Sequence, residues 1–189
     1  MGYTSLSITS MSPTRKHLLD AAQQFCDAFA NKEDVDAILS LFSTTHEISA
    51  IEYGDPVLAP FLGKAFVGKA GVQQYFDLIG SLLSYENISF SEYVVDPEAI
   101  KVSVKGKGEF TWLGTNQSWS ETFTYTLDFD DELKVVQYQV WADSGSAYLA
   151  RIGKLEKAKG KRMNSSERAL DYLISTLRRI KYSNTNRCQ

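Results

Sequence analysis

The stretch VVQYQVWADSGSAYLAR, residues 135–151, gathers side chains that acid–base chemistry uses. Read as a strand, with successive side chains on opposite faces, it puts Val135, Gln137, Gln139, Trp141 and Asp143 in one row. Val136, Tyr138, Val140 and Ala142 form the other. Two amides, an indole and a carboxylate suit a ligand pocket or a subunit interface better than open solvent. In a pocket, Asp143 would take a proton from a carbon acid, Gln139 would orient a carbonyl or hydroxyl, and Trp141 would bind the substrate's apolar body. A second reading stands beside this one. In ADSGSAYLAR, Asp143 or Ser144 is placed to N-cap a following helix, and a carboxylate serving a cap is not free for catalysis.

Glu121 is the next candidate. In SWSETFTYTLDF the row Trp119, Glu121, Phe123, Tyr125, Leu127, Phe129 sets one carboxylate among aromatics. Full burial raises a carboxyl pKa by roughly 3–5 units, which would make Glu121 a general acid or base near neutral pH. The alternative is that Glu121, close to a turn, reaches water. His46 and Glu52 share a face of HEISAIEY with Ile48 and Ala50, and Glu47 and Tyr53 occupy the other. Which of these faces is interior is open. His46 is the second proton partner for Asp143, or else a surface or capping histidine. Apolar contacts to a substrate are expected from Phe29, Phe110, Trp112 and Tyr125. In IKVSVKGKGEFTW, Gly106 and Gly108 interrupt the apolar row, leaving room for a large group or bending a curved sheet.

The elements that would position these residues follow from periodicity. Leu18, Ala22, Phe25 and Phe29 repeat at helical spacing from Thr14 to Ala30, widened by Leu19 and Cys26. A second short helix, capped by Asn31 with Asp34 in its first turn, buries Val35, Ile38, Leu39 and Phe42. The strand 46–53 comes next, then a loop with a short extended piece. A third helix buries Val72, Tyr75, Phe76, Ile79 and Leu83. Strands 88–95, 100–113 and 118–129 and the strand bearing Trp141 form a meander. The order is α+β, not alternating βαβ. A basic linker, GKLEKAKGKRMN, leads to a last amphipathic helix with Leu170, Leu173, Ile174 and Leu177 on one side. The expected division is a flexible tail over 1–13, a domain over 14–153, and the linker with its helix over 154–189.

The chain has 189 residues and a net charge of −3. That total conceals 9 basic against 20 acidic residues in 1–150, and 11 against 3 in 151–189. The basic tail could serve nucleic acid or anionic lipid, but without a stacking pattern of aromatics it is read as packing on the acidic body or on a second copy. No stretch is apolar enough to span a bilayer and the N-terminus lacks the features of a secretory signal, so a cytoplasmic protein is expected. Cys26 and Cys188 imply no disulfide framework, and two histidines make no metal cluster.

The two N-terminal helices, the strand region LFSTTHEISAIEYGDP, the helix opening FVGKAGVQQYFDLI and the terminal Trp141-Ala142-Asp143 together resemble the nuclear transport factor 2-like superfamily. The branch most similar is the SnoaL-like polyketide cyclases. The resemblance covers about residues 14–153. It implies a cone-shaped curved antiparallel sheet wrapped around three helices, an apolar pocket, and a homodimer through the open sheet face. It also implies cofactor-independent isomerisation, cyclisation or dehydration of a hydrophobic, polyketide- or terpenoid-like small molecule, with a non-catalytic binding or interaction module as the alternative. The sequence departs from two better-known chemistries of the superfamily. No Arg lies between Arg15 and Arg151, so the Asp–Arg–Asp constellation of its epoxide hydrolases is missing, and the lone His46 does not match the paired histidines of scytalone dehydratase.

Overall fold

The computed structural model describes residues 13–160. The amphipathic helix read near 165–177 and nearly all of the N-terminal tail lie outside the described residues.

Helix α1 (Arg15–Ala30) begins where the Thr14 hydroxyl accepts the His17 N–H, and it buries Leu18, Ala22, Phe25 and Cys26. Helix α2 (Val35–Leu39) is capped by Asp34, whose Oδ1 accepts the Ala37 N–H at 2.8 Å. Asn31, expected to cap α2, instead ends α1. Strands β1 (Ser49–Tyr53) and β2 (Ala65–Val67) precede α3 (Gly68–Leu82), which buries Val72, Tyr75 and Phe76. Helix α3 runs without a loop into β3 (Leu83–Asp96), so Leu83 opens a strand that starts five residues before its expected beginning. Then come β4 (Lys101–Trp112), β5 (Gln117–Phe129), β6 (Val135–Trp141) and α4 (Ser144–Arg151). Among the described residues no helix is long and apolar enough to cross a membrane.

The six strands form one sheet in the order β2-β1-β6-β5-β4-β3. The sheet is mixed: β1 pairs parallel with β6, whereas the other neighbours are antiparallel. This parallel pair sets β1 between β2 and β6, a long-range pairing that local periodicity does not reveal. Register shifts in β3, at Glu86/Ser89 and Ser91/Val94, mark irregularities that curve that edge. Helices α1 and α3 cover the concave face, and the core there includes Phe25, Val102, Leu127 and Tyr138. Each such large side chain contributes roughly 1.5–3 kcal/mol by leaving water.

Gly106 and Gly108 have a packing cause. A Cβ on Gly106 would stand 2.1 Å from the Phe123 ring, and one on Gly108 would stand 2.4 Å from Ile88 Cδ1. The room these glycines leave is filled by the protein's own side chains.

Candidate active site

Between the helices and the concave face lies a cavity lined chiefly by aromatic rings, with about 70 Å³ of open space inside. Phe29 from α1, Phe110 from β4 and Tyr125 from β5 line it as the sequence patterns suggest. Trp112 is buried at the end of β4 and does not line it.

Two carboxyl groups enter this apolar space. Strand β1 turns Ala50 and Glu52 inward and Ile51 and Tyr53 outward, which decides the face that the sequence left open. Tyr75, reaching across from α3, donates its hydroxyl to Glu52 Oε2 at 3.0 Å. Burial pushes the Glu52 carboxyl from 4.5 up to about 8, against the Tyr75 hydrogen bond and with help from the charge of Glu121. Glu52 therefore holds a proton through most of the neutral range.

Glu121 sits opposite Gly108 in the β4–β5 register. Its Oε2 accepts from Trp119 Nε1 at 2.8 Å and from the Asp143 backbone N–H at 3.2 Å. Burial raises its pKa and these two donors oppose the rise, while the nearby Asp143 carboxylate adds to it. Among the described residues, no Lys, Arg or His lines the cavity, so neither carboxyl has a counter-ion there. Tyr75, Tyr125 and Tyr138 add phenols whose pKa values burial drives upward, keeping them neutral donors.

The structure separates the other candidates from this pair. Asp143 stands at the cavity rim, but its carboxylate N-caps α4: Oδ1 accepts the Ser146 N–H at 3.0 Å and Oδ2 the Ser146 hydroxyl at 2.6 Å. Gln139 and Trp141 occupy the opposite face of the sheet, because Tyr138, Val140 and Ala142 are the row of this strand that reaches the cavity. There Gln139 accepts from the Tyr53 hydroxyl at 3.1 Å, and Trp141 stacks on Tyr53 with ring centroids 4.6 Å apart. His46 lies outside the cavity, its side chain 58% exposed, with Nδ1 3.6 Å from Asp130 Oδ2. Among the described residues, that Asp130 oxygen is buried without a hydrogen-bond partner. Although burial opposes ionisation, Ser43, the Lys134 and Glu132 N–H groups and His46 hold the Asp130 carboxyl below its usual range.

No family model and no curated protein sequence matches the chain. Solved structures do match. An NTF2-like protein of unknown function from Burkholderia pseudomallei superposes with a TM-score of 0.60 at 13% identity, over 70% of this chain and 95% of that one. The chain has the NTF2-like fold. TerC, co-crystallised with polyporic acid, is similar at a TM-score of 0.59 and 16% identity, over 70% of this chain and 96% of its own. A candidate SnoaL-like polyketide cyclase from Mesorhizobium loti matches at 0.51 and 12% identity, over 65% and 97%. The NTF2-like architecture read from the sequence and its SnoaL-like likeness are thus both found among solved structures. At these identities the likeness is one of fold.

Glu52 and Tyr75 are the cavity residues hardest to assign from sequence. Tyr75 reads as an ordinary core position of an amphipathic helix. A signal for Glu52 did exist, as a lone acid on a face shared with Ile48 and Ala50, but the opposite face carried Ile51 and Tyr53.

Proposed function

We propose that the cavity performs cofactor-independent acid–base isomerisation, cyclisation or dehydration of a hydrophobic, polyketide- or terpenoid-like small molecule, with Glu121 and Glu52 as its proton-transfer pair. The observation that carries this reading is that two carboxyls share one apolar cavity, one of them holding its proton to about pH 8. In an isomerisation of a β,γ-unsaturated carbonyl compound, Glu121 takes a proton from the carbon between the carbonyl and the double bond while Glu52 gives its proton to the carbonyl oxygen, producing a dienol. Glu121 then returns its proton at a different carbon and Glu52 recovers the enol proton, so no atom is gained or lost. Tyr75 fixes Glu52 through its other oxygen. The aromatic walls exclude water and suit a planar or polycyclic ligand, and the structurally similar TerC was co-crystallised with polyporic acid.

The test is incubation with a metabolite extract, followed by chromatography and mass spectrometry of what is converted. Once a substrate is in hand, Glu52→Gln and Glu121→Gln should each lower kcat by about 10²-fold or more. Unaltered turnover in either variant removes that residue from the mechanism. The lack of any Lys, Arg or His in the cavity lining, among the described residues, favours a second reading in which the cavity only holds a ligand. A molecule retained and returned unchanged would support that one. We also assign a homodimer to the outer sheet face, where the Tyr53–Trp141 stack stands 39% and 44% exposed.

A further inference from the structure

The two oxygens of Glu121 are not equivalent. Oε2 receives both the indole N–H of Trp119 and the backbone N–H of Asp143, whereas Oε1 receives no donor among the described residues. We propose that Asp143 is a positioning residue: by capping α4 it aims its own backbone N–H at Glu121 Oε2, leaving Oε1 as the oxygen that exchanges a proton with substrate. This rests on the reading of Glu121 as the base, and it gives the aspartate at the end of the Trp-Ala-Asp segment a role other than proton abstraction.

Three features make the N–H a fixed donor. The Asp143 carboxylate is engaged at both oxygens by Ser146, which holds the residue at φ −79° and ψ 79°. The far end of α4 is fastened as well: Arg151 Nη1 donates to the carbonyls of Val57 and Leu58 at 3.0 and 3.1 Å, and the Ala150 carbonyl accepts the Thr115 hydroxyl at 2.7 Å. Ala147, one turn into α4, lines the cavity itself, so a shift of the helix would alter the wall and the Glu121 hydrogen bond together. Among the described residues, the charged groups around Glu121 are Glu52 on β1, the Asp143 carboxylate, and Lys107 and Glu109 of β4 beside Gly108.

The experiment compares Asp143→Asn with Asp143→Ala in protein carrying ¹³C-labelled glutamate, with the Glu121 signal assigned through Glu121→Gln. Asn caps helices as well as Asp does and so retains the N–H donor; Ala loses both cap and charge. Glu121 should titrate about one pH unit or more higher in Asp143→Ala than in Asp143→Asn. Ser146→Ala, which weakens the cap without touching Asp143, should move Glu121 upward from wild type. With a substrate in hand, Asp143→Asn should turn over about tenfold faster than Asp143→Ala. Identical Glu121 titration in the two Asp143 variants overturns the proposal, as does Asn turnover as poor as that of Ala, which would make the carboxylate itself the reacting group. If the titrations behave as stated but Glu121→Gln keeps full turnover, the positioning holds and the assignment of Glu121 as base fails.

Discussion

Replacing Glu52 by Gln tests the electrostatics of the cavity without needing a substrate. Gln keeps the shape of the side chain and an oxygen to accept the Tyr75 hydroxyl, and it removes only the ability to ionise. In the folded protein the Glu52 carboxyl titrates near 8, against 4.5 for an ordinary glutamate. Between those pH values the folded state binds a proton that the unfolded state has released, so stability falls as pH rises and levels off above about 8. At ~1.4 kcal/mol per pH unit, the full window from 4.5 to about 8 amounts to roughly 5 kcal/mol. Relaxation of the surrounding groups trims that figure, and a change of about 2 kcal/mol would still carry the argument. The assay is urea unfolding of wild type and Glu52→Gln at several pH values from 5 to 9, read as the difference in stability. Groups common to both proteins largely cancel, and Glu52→Gln should gain on wild type steadily up to about pH 8. A difference that stays flat across this range would show that Glu52 ionises as it does in water, and the proposed acid would lose its physical basis.

Other perturbations read other parts of the structure. Tyr75→Phe removes the hydrogen bond that opposes the rise of Glu52, so the pH at which Glu52 ionises should move further up, visible in the same ¹³C titration. Gly106→Ala forces Phe123 out of place, since the new Cβ would stand 2.1 Å from its ring, and should cost about 1–3 kcal/mol in unfolding experiments. Trp141→Lys places a charge on the outer face and should convert a dimer to monomer in sedimentation velocity while leaving the far-ultraviolet circular dichroism unchanged. A wild-type protein that sediments as a monomer at all concentrations would dispose of the sheet-face dimer.

The helices and the strands of the meander were legible because their signals are local. Leu18, Ala22 and Phe25 repeat at helical spacing and are buried, and the apolar rows of β4 and β5 face the core as alternation predicts. Alternation divides a strand into two faces but does not say which is inside when both carry mixed residues. In β6 the row with Gln139 and Trp141 carries the more unusual chemistry, yet the plainer row with Tyr138, Val140 and Ala142 lines the cavity. The usual preference for apolar interiors would have chosen correctly there.

Strand β1 is the more instructive case, because no count of apolar residues separates Ile48, Ala50 and Glu52 from Ile51 and Tyr53. Its orientation follows from the parallel pairing with β6, where Glu52 stands opposite Val140 and Ala50 opposite Tyr138, across more than eighty residues of chain. Once the β6 row is known to face inward, Glu52 must face inward with it, since in-register neighbours on adjacent strands share a face of the sheet. The buried acid is therefore a consequence of topology. A carboxyl there costs stability when it ionises, and that cost is what keeps it protonated up to about pH 8. Asp143 shows the converse: its local sequence, Asp-Ser-Gly-Ser, already held the information for a helix cap, and the cap is what the fold uses.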